Sequence, residues 1–448
     1  MDTPPDRDGV RRTVEDLTAR GVDVLRVGYP DLMGTERSRE VLVAQLPAVM
    51  EHGLAFCRAV YHTTTRGETL DVEGGLDAGL PDVKVFPDLT TIADVPWEDG
   101  VASCLGNVFD PSGAPCDESP RTVLRGIVET FHATGLHPVV GPELEYFVLE
   151  RDGDGWRRYG DESGNIYVTG AKGDPGGHLT ATLRQLRDLG IGVTAGNHEF
   201  CPGQFEINLA HSAAVDSADR AFRFKSAIKE LERRAGRMAT FMAKPFNGEG
   251  ASGFHLHVSL TDADGRNVGV DPAGQFGLSA VLRHALAGVL AHAPALAALA
   301  NPTVNSYKRF GPDTLAPWLI DWGLDNRSAM VRIPPERGDA TRVELRLPDS
   351  SANPYLLYGG VLAAMQLGIE AGAEPPAPLD GYGYDPAKAP VLPTSLSAAL
   401  DAFEADAALQ GKLGKRLVSS FTAFKRDEVE RYRAWVSDWE LREYVHHL

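Results

Sequence analysis

The sequence predicts an α+β chain with a small N-terminal domain and a larger domain whose strands carry polar side chains. Three observations predict it. At 448 residues the chain exceeds what one ordinary core accommodates. Short β runs dominate up to a dense cluster of turn residues at Asp110–Pro115, and strands alternate with helical stretches beyond it. Four strand-like segments also place acidic, histidine or arginine side chains two apart, on one face of each strand.

The elements follow in order. Val22–Tyr29 alternates as a strand, Pro30-Asp-Leu-Met-Gly34 supplies a turn, and Ser38–Val43 returns as the second arm of a hairpin. Further β runs fit Val83–Phe86 and Ala102–Phe109. After the turn cluster, Ser119 is placed as an N-cap and Pro120 at the first helical position, opening a helix through His132. The boundary is placed there, giving domains of residues 1–115 and 116–448. The second contains strands at Pro138–Glu150, Glu199–Leu209 and Phe254–Leu260. Helices fit His178–Leu189, Ala214–Ala235, Gln275–Ala300 and Pro354–Ala371, and the end from Leu396 to Glu443 is largely helical. The basic stretch Arg220–Arg237 reads as the solvated face of an amphipathic helix.

Composition narrows the function. A hydrophobic content of 43% is that of a globular chain, and a net charge of −18 argues against nucleic acid and anionic membranes as partners. The first twelve residues carry no apolar stretch, so no secretory signal is expected. Val281–Ala300 is apolar but carries Arg283, His284, His292 and Pro294, and reads as packed helix rather than a membrane span. Cys57, Cys104, Cys116 and Cys201 lie far apart with no CxxC, which suits free thiols and a cytoplasmic protein.

The chemistry lies in the alternating segments. Glu143 and Glu145 share a strand face, as do His255, His257 and Ser259, and Arg342, Glu344 and Arg346; a fourth segment offers Glu199 and Glu206. Any one such strand is commonly a half-exposed surface strand. Together they bring carboxylates and a histidine among apolar neighbours, where inward-pointing charges require neutralisation. Divalent cations supply it, and carboxylate-rich ligation suits Mg²⁺ or Mn²⁺ better than zinc. Arg309, Arg327 and Arg332 add guanidinium groups suited to carboxylates and phosphates, although each alone fits a surface salt bridge equally well. Cations with convergent arginines are what phosphoryl transfer demands. Gly248-Glu-Gly-Ala-Ser-Gly253 fits GxGxxG but leads into a strand, which excludes the dinucleotide-binding reading, and no GxxxxGK(S/T) occurs.

Six segments, GPELEYF, NHEFCPGQFEIN, GASGFHLHVSL, NPTVNSYKRF, DNRSAMVRIP and RVELRLPDSSANPY, resemble glutamine synthetase class I in that family's order. The resemblance spans nearly the whole chain. It implies a β-grasp N-terminal domain, and a catalytic domain with a curved antiparallel sheet flanked by helices. It also implies ring homo-oligomers, usually dodecamers of two hexamers, each active site being completed by a neighbour's N-terminal domain. Carried over, Glu145, Glu199 and Glu206 would hold one metal, and Glu143, His255 and Glu344 the metal on the ATP phosphates. His257 and Ser259 match positions near the nucleotide. Arg309 and Arg346 match grips on glutamate's carboxylates, and Arg327 and Arg332 match neutralisers of the transferring phosphate. Arg309, Arg327 and Glu344 are thus the expected catalytic residues, with ATP as co-substrate. The implied reaction forms γ-glutamyl phosphate, which a nitrogen nucleophile then opens.

The departures bear on the nucleophile. Where the family binds ammonium with an aspartate, Ala55–Thr64 has no carboxylate, and Leu315 takes the position of the family's flap glutamate. Binding and deprotonating an ammonium ion requires such groups. This pattern resembles the γ-glutamylamine synthetases, which use polyamines, ethanolamine or other primary amines. Asp313, two residues from Leu315, could substitute, which keeps an ordinary ammonia-using glutamine synthetase as the alternative; a non-catalytic family member is the third reading. Gly250 stands where the family has an asparagine near glutamate's amino end. Tyr382-Gly-Tyr384-Asp-Pro lacks the YDLPPE-type pattern of the adenylylated relatives, so no such regulation is expected.

Overall fold

The computed structural model describes residues 7–160 and 164–448. The N-terminal stretch read above as lacking a leader falls partly on residues 1–6, outside the described residues.

Two sheets organise the chain. The first contains β1 (Val24–Pro30), β2 (Glu36–Leu42), β3 (Leu54–Cys57), β4 (Asp82–Asp94) and β5 (Val101–Phe109), in the order β2-β1-β5-β4-β3. β1 runs parallel to β5, and the remaining pairs are antiparallel. The expected hairpin is present, with Val24 opposite Leu42 and Tyr29 opposite Arg37. Its turn is closed by Asp31 Oδ1, which accepts from the Met33 and Thr35 amides at 2.9 Å each. Asn353 then fastens the turn to the rest of the chain, Nδ2 donating to the carbonyls of Asp31 (2.9 Å) and Leu32 (3.2 Å).

The second sheet is built around β6 (His137–Asp152). Its partners include β7 (Gly155–Arg158), β9 (Gln204–Leu209), β10 (Ser212–Ala213), β11 (Met238–Thr240) and β12 (Phe254–Thr261), and β8 (Val193–His198) pairs with β9. Beyond β12 lie β13 (Trp322–Leu324), β14 (Val331–Ile333) and β15 (Val343–Leu345), giving the order β13-β14-β15-β12-β6-β9-β8. Helices pack on this sheet, and a continuous hydrophobic cluster runs from Leu25 and Tyr29 through Tyr146 and Phe205 to Tyr355 and Phe421. The predicted α+β class is the observed one.

Three expectations need correction. Glu199–Leu209 is not one strand: β8 ends at His198, and Glu199 stands on a turn through Pro202 and Gly203. Gly203 has φ +70°, and a Cβ there would come within 2.7 Å of the Tyr159 carbonyl, so the turn needs glycine. The helix expected over Gln275–Ala300 is two helices, Ala280–Ala291 and Ala293–Ala300, bent by 75°. Pro294 lies in the first turn of the second helix, where its missing N–H is tolerated. No single helix among the described residues is long and apolar enough to cross a membrane. Finally, Arg220–Arg237 is not simply a solvated face. Lys225 is buried and donates to the carbonyls of Ser350 (2.9 Å) and Ala352 (2.8 Å), and burial pushes its ammonium down to about 7.

Candidate active site

Sheet register brings the predicted polar residues together. Across β6 and β12, Glu143 is paired with His255; across β6 and β9, Glu145 faces Glu206. Glu344 on β15 is paired with His257 on one side and Arg332 on the other. Because side chains alternate, one sheet face collects these groups while Leu144, Leu256, Val343 and Leu345 enter the core.

Two constellations result. Ligand atoms of Glu143, His255 and Glu344 lie within 4.8 Å of one another, and so do those of Glu145, Glu206 and His255. The first is the trio expected from the sequence. In the second, His255 stands where Glu199 was expected; Glu199 remains beside it, its Oε1 accepting from Asn197 Nδ2 at 2.8 Å.

The two differ electrostatically. Burial, then the Glu199 charge, pushes Glu145 up to about 8; burial, then Glu145, Glu143 and Glu199, pushes Glu206 up to about 9. Glu199 is raised as well, by burial first. These three lack sufficient positive charge, and an oxygen-donor set of this kind fits a hard divalent cation. Glu143 and Glu344 are already compensated. Despite burial, hydrogen bonds from His255 and His257 hold Glu143 well below the carboxylate range. Glu344, also desolvated by burial, is kept at about 2 by His255 and Arg346. Burial, then Arg346, lowers His255 to about 4, leaving its neutral ring available as a ligand.

Neighbouring side chains fix these groups. Arg342 Nε donates to His257 Nδ1 at 3.0 Å, so the imidazole proton lies on Nε2 and is directed at Glu143 Oε1, 3.0 Å away. Ser259 and His257 line a cavity of about 340 Å³ with Glu143, Arg342 and His211. Arg346 Nη1 donates to Glu344 Oε1 (2.7 Å) and Nε to the Arg327 carbonyl (3.0 Å). Arg332 bridges Glu344 Oε2 (2.5 Å) and Asp325 Oδ1 (2.6 Å). Buried Arg309 donates to the carbonyls of Leu347 (2.9 Å) and Arg346 (3.3 Å). The Arg327 side chain is exposed and has no hydrogen bond among the described residues, yet it acts electrostatically on Glu199. A Cβ on Gly253 would lie 2.8 Å from His255 Nε2, 3.0 Å from Glu145 Oε1 and 3.2 Å from Arg309 Nη2, so a side chain there would crowd all three groups.

The positions that depart from the family's pattern lie in different surroundings. Leu315 is 54% exposed with φ +60°, and Asp313 has φ +62°, two strained non-glycine residues in one short loop. The Gly250 amide donates to Cys201 Sγ at 2.9 Å. In the Ala55–Thr64 stretch, Arg58 and His62 turn inward onto Glu118, at 2.5 and 2.8 Å.

Sequence reasoning missed Gln204, Arg342's role towards His257, and Tyr167. Gln204 Nε2 donates to Glu145 Oε2 at 2.9 Å, and its place two residues before Glu206 was a readable signal. Tyr167, exposed and with φ +58°, lies within electrostatic reach of Glu199, Glu206 and Glu143, and nothing local in the sequence announces it.

Residues 117–444 match the family described as glutamine synthetase, catalytic domain. The chain belongs to the glutamine synthetase family. It is 33% identical to a glutamine synthetase of Halobacterium salinarum, over 98% of this chain and 97% of the relative. It is 34% identical to that of Thermus thermophilus, over 96% and 97%. Among solved structures, a GmaS–ADP complex superposes with a TM-score of 0.87 at 32% identity, covering 97% of this chain and 99% of GmaS. The family's members are ATP-dependent ligases that form carbon–nitrogen bonds, and this chain is such an enzyme.

Proposed function

We propose that this ligase joins the γ-carboxylate of glutamate to a primary amine, such as a polyamine or ethanolamine, through γ-glutamyl phosphate. The observation that carries this reading is the rim loop. Leu315 presents an exposed apolar side chain there, and the Asp313 carboxylate, a candidate to replace a missing acid, accepts from Tyr382 Oη at 3.1 Å. A loop of that character suits a carbon chain better than an ammonium ion. The solved GmaS complex, similar over nearly its whole length, adds support.

In this reading Glu145, Glu199 and Glu206 hold one Mg²⁺ or Mn²⁺ ion, and Glu143, His255 and Glu344 hold another. Bound there, divalent cations would supply the charge neutralisation that phosphoryl transfer requires. Arg309 and Arg346 grip glutamate, Gly250 borders its amino end, His257 and Ser259 meet the nucleotide, and Arg327 and Arg332 neutralise the transferring phosphoryl group. The γ-carboxylate attacks the γ-phosphorus of ATP and ADP departs. The amine nitrogen then attacks the acyl carbon, phosphate leaves, and the nitrogen loses a proton.

The domains are residues 1–115 and 116–448. Four free cysteines suit the reducing cytoplasm in which we place the enzyme. We also place it in a ring homo-oligomer, a dodecamer of two hexamers. The C-terminal segment supports self-association, since Trp435, Val436, Trp439, Leu441 and Leu448 are all at least 57% exposed.

The second reading is an ordinary glutamine synthetase, favoured by the name its curated relatives carry. Phosphate release from ATP with Mg²⁺ and glutamate, in parallel with ammonium, ethanolamine, putrescine, spermidine or no nucleophile, separates the two. Turnover with one amine well above ammonium supports the proposal, and turnover with ammonium alone overturns it.

A further inference from the structure

We propose that Gln204 is a positioning residue for divalent-cation binding, its side-chain amide holding the Glu145 carboxylate in the orientation that receives the ion. The inference rests on the reading above in which Glu145, Glu199 and Glu206 hold one cation, and adds the group that sets their geometry.

Gln204 opens β9 and ties these three acids together through different parts of itself. Its carbonyl accepts from the Glu199 amide at 2.8 Å, and its own amide donates to the Cys201 carbonyl at 3.0 Å, closing the turn on which Glu199 stands. Glu206 follows two residues later, on the same face of the strand. The side chain reaches across to β6, where Nε2 donates to Glu145 Oε2 at 2.9 Å.

The amide is itself fixed. Gln204 is only 2% exposed, and Nε2 also donates to the Ala251 carbonyl at 3.2 Å, so both of its N–H groups are used. A carbonyl only accepts, which places the nitrogen and not the oxygen of the amide towards this pair. Ala251 lies in a pinned segment. The Gly250 amide donates to Cys201 Sγ (2.9 Å), the Ser252 amide to the Ala243 carbonyl (2.8 Å), and the Gly253 carbonyl accepts from the Glu145 amide (3.1 Å). The donor is thus anchored on its far side, and the carboxylate is what it orients. With Oε2 engaged, Oε1 is the oxygen left to meet a cation. It lies 3.0 Å from the point where a Gly253 Cβ would stand, and His255 Nε2 lies 2.8 Å from that same point.

A neutral donor suits the task. Among the described residues, Gln204 is the only side chain hydrogen-bonded to the Glu145 carboxylate, whereas Glu344 has Arg332 and Arg346 on its oxygens. A guanidinium beside Glu145 would cancel the negative charge that draws the ion. An amide restrains the carboxylate and leaves that charge in place.

The test is a Mn²⁺ titration of the nucleotide-free enzyme, with the free ion read by electron paramagnetic resonance. Gln204→Met keeps the length of the side chain and removes the donor. We expect the dissociation constant of one bound ion to rise about ten-fold or more. A purely structural hydrogen bond would lower Tm and leave that constant unchanged, which overturns the inference; equal weakening of every bound ion, the mark of general loosening, overturns it too. Gln204→Asn keeps a buried amide but withdraws it from Glu145, and should weaken the same ion; it decides the matter should the Met variant not fold. Weakening in Glu206→Gln with none in either Gln204 variant refutes the positioning role alone. A wild-type enzyme that binds no Mn²⁺ refutes the cation reading and this inference together.

Discussion

Glu145 and Glu206 face each other across the β6–β9 ladder as a directly opposed pair of carboxylates, the first buried and the second half-buried. Burial pushes both up, aided by the Glu199 charge at Glu145 and the Glu145 charge at Glu206, to about 8 and about 9, so near neutral pH the metal-free protein retains protons there that its unfolded chain releases. Metal-free stability accordingly falls as pH rises from the ordinary carboxylate range towards 9. A cation must displace those protons, so its apparent affinity climbs over the same interval. Thermal denaturation with Mg²⁺ or a chelator at pH 6, 7.5 and 9 should show a metal-induced rise in Tm that grows with pH. Glu206→Gln should raise the Tm of the chelated protein and shrink the Mg²⁺-induced rise.

Glu344 is 1% exposed and holds Arg332 and Arg346 on its two oxygens. Glu344→Gln preserves its shape but removes the charge. ATP turnover should fall about 100-fold or more, with the assembly intact by light scattering. Undiminished turnover would remove Glu344 from the proposed metal set.

Leu315→Glu places a carboxylate at a solvent-facing position of a loop that already exposes Asp313. Use of the preferred amine should weaken, with kcat/KM down about ten-fold, while ammonium-dependent turnover rises. If neither parameter moves, Leu315 lies outside the nucleophile's path.

Glu118 is fully buried and accepts from Arg58, His62 and Ser420, fastening the 58–62 segment to the C-terminal helix Lys415–Arg433. Despite burial, hydrogen bonds from His62 and Arg58 hold its carboxyl at about 2. A depressed acid stabilises the fold above the unfolded value and loses that contribution as pH falls through the folded one. Acid titration of the wild type should therefore show a loss between about pH 4.5 and 2, worth up to about 3 kcal/mol. In Glu118→Gln that part of the acid dependence should vanish and Tm at pH 7 should drop. An unchanged acid limb would refute this account.

Much of the fold and site could be read in advance because the informative residues obey local rules. Ser119 and Pro120 announce a helix start, and the Ser119 side chain does accept from the Thr122 amide. Glu143, Glu145, His255 and Glu344 were legible because a period of two puts them on one face, leaving register to bring the faces together. Glu199 was misread as strand because Pro202 and Gly203 act on the chain before them, through a turn whose need for glycine comes from the distant Tyr159 carbonyl. Tyr167 could not be found from spacing, since it comes within electrostatic reach of the site from a loop whose course depends on contacts elsewhere.

Gly253 has a consequence for engineering. Its missing side chain is what allows His255, Glu145 and Arg309 to close around one point, so the floor of the site has no spare volume. Libraries meant to broaden the acceptor range should leave this position fixed and diversify the rim instead. Even alanine at residue 253 would push on His255 and crowd Glu145 and Arg309. Substrate scope in this enzyme can therefore drift at its entrance while the chemistry at its base stays locked.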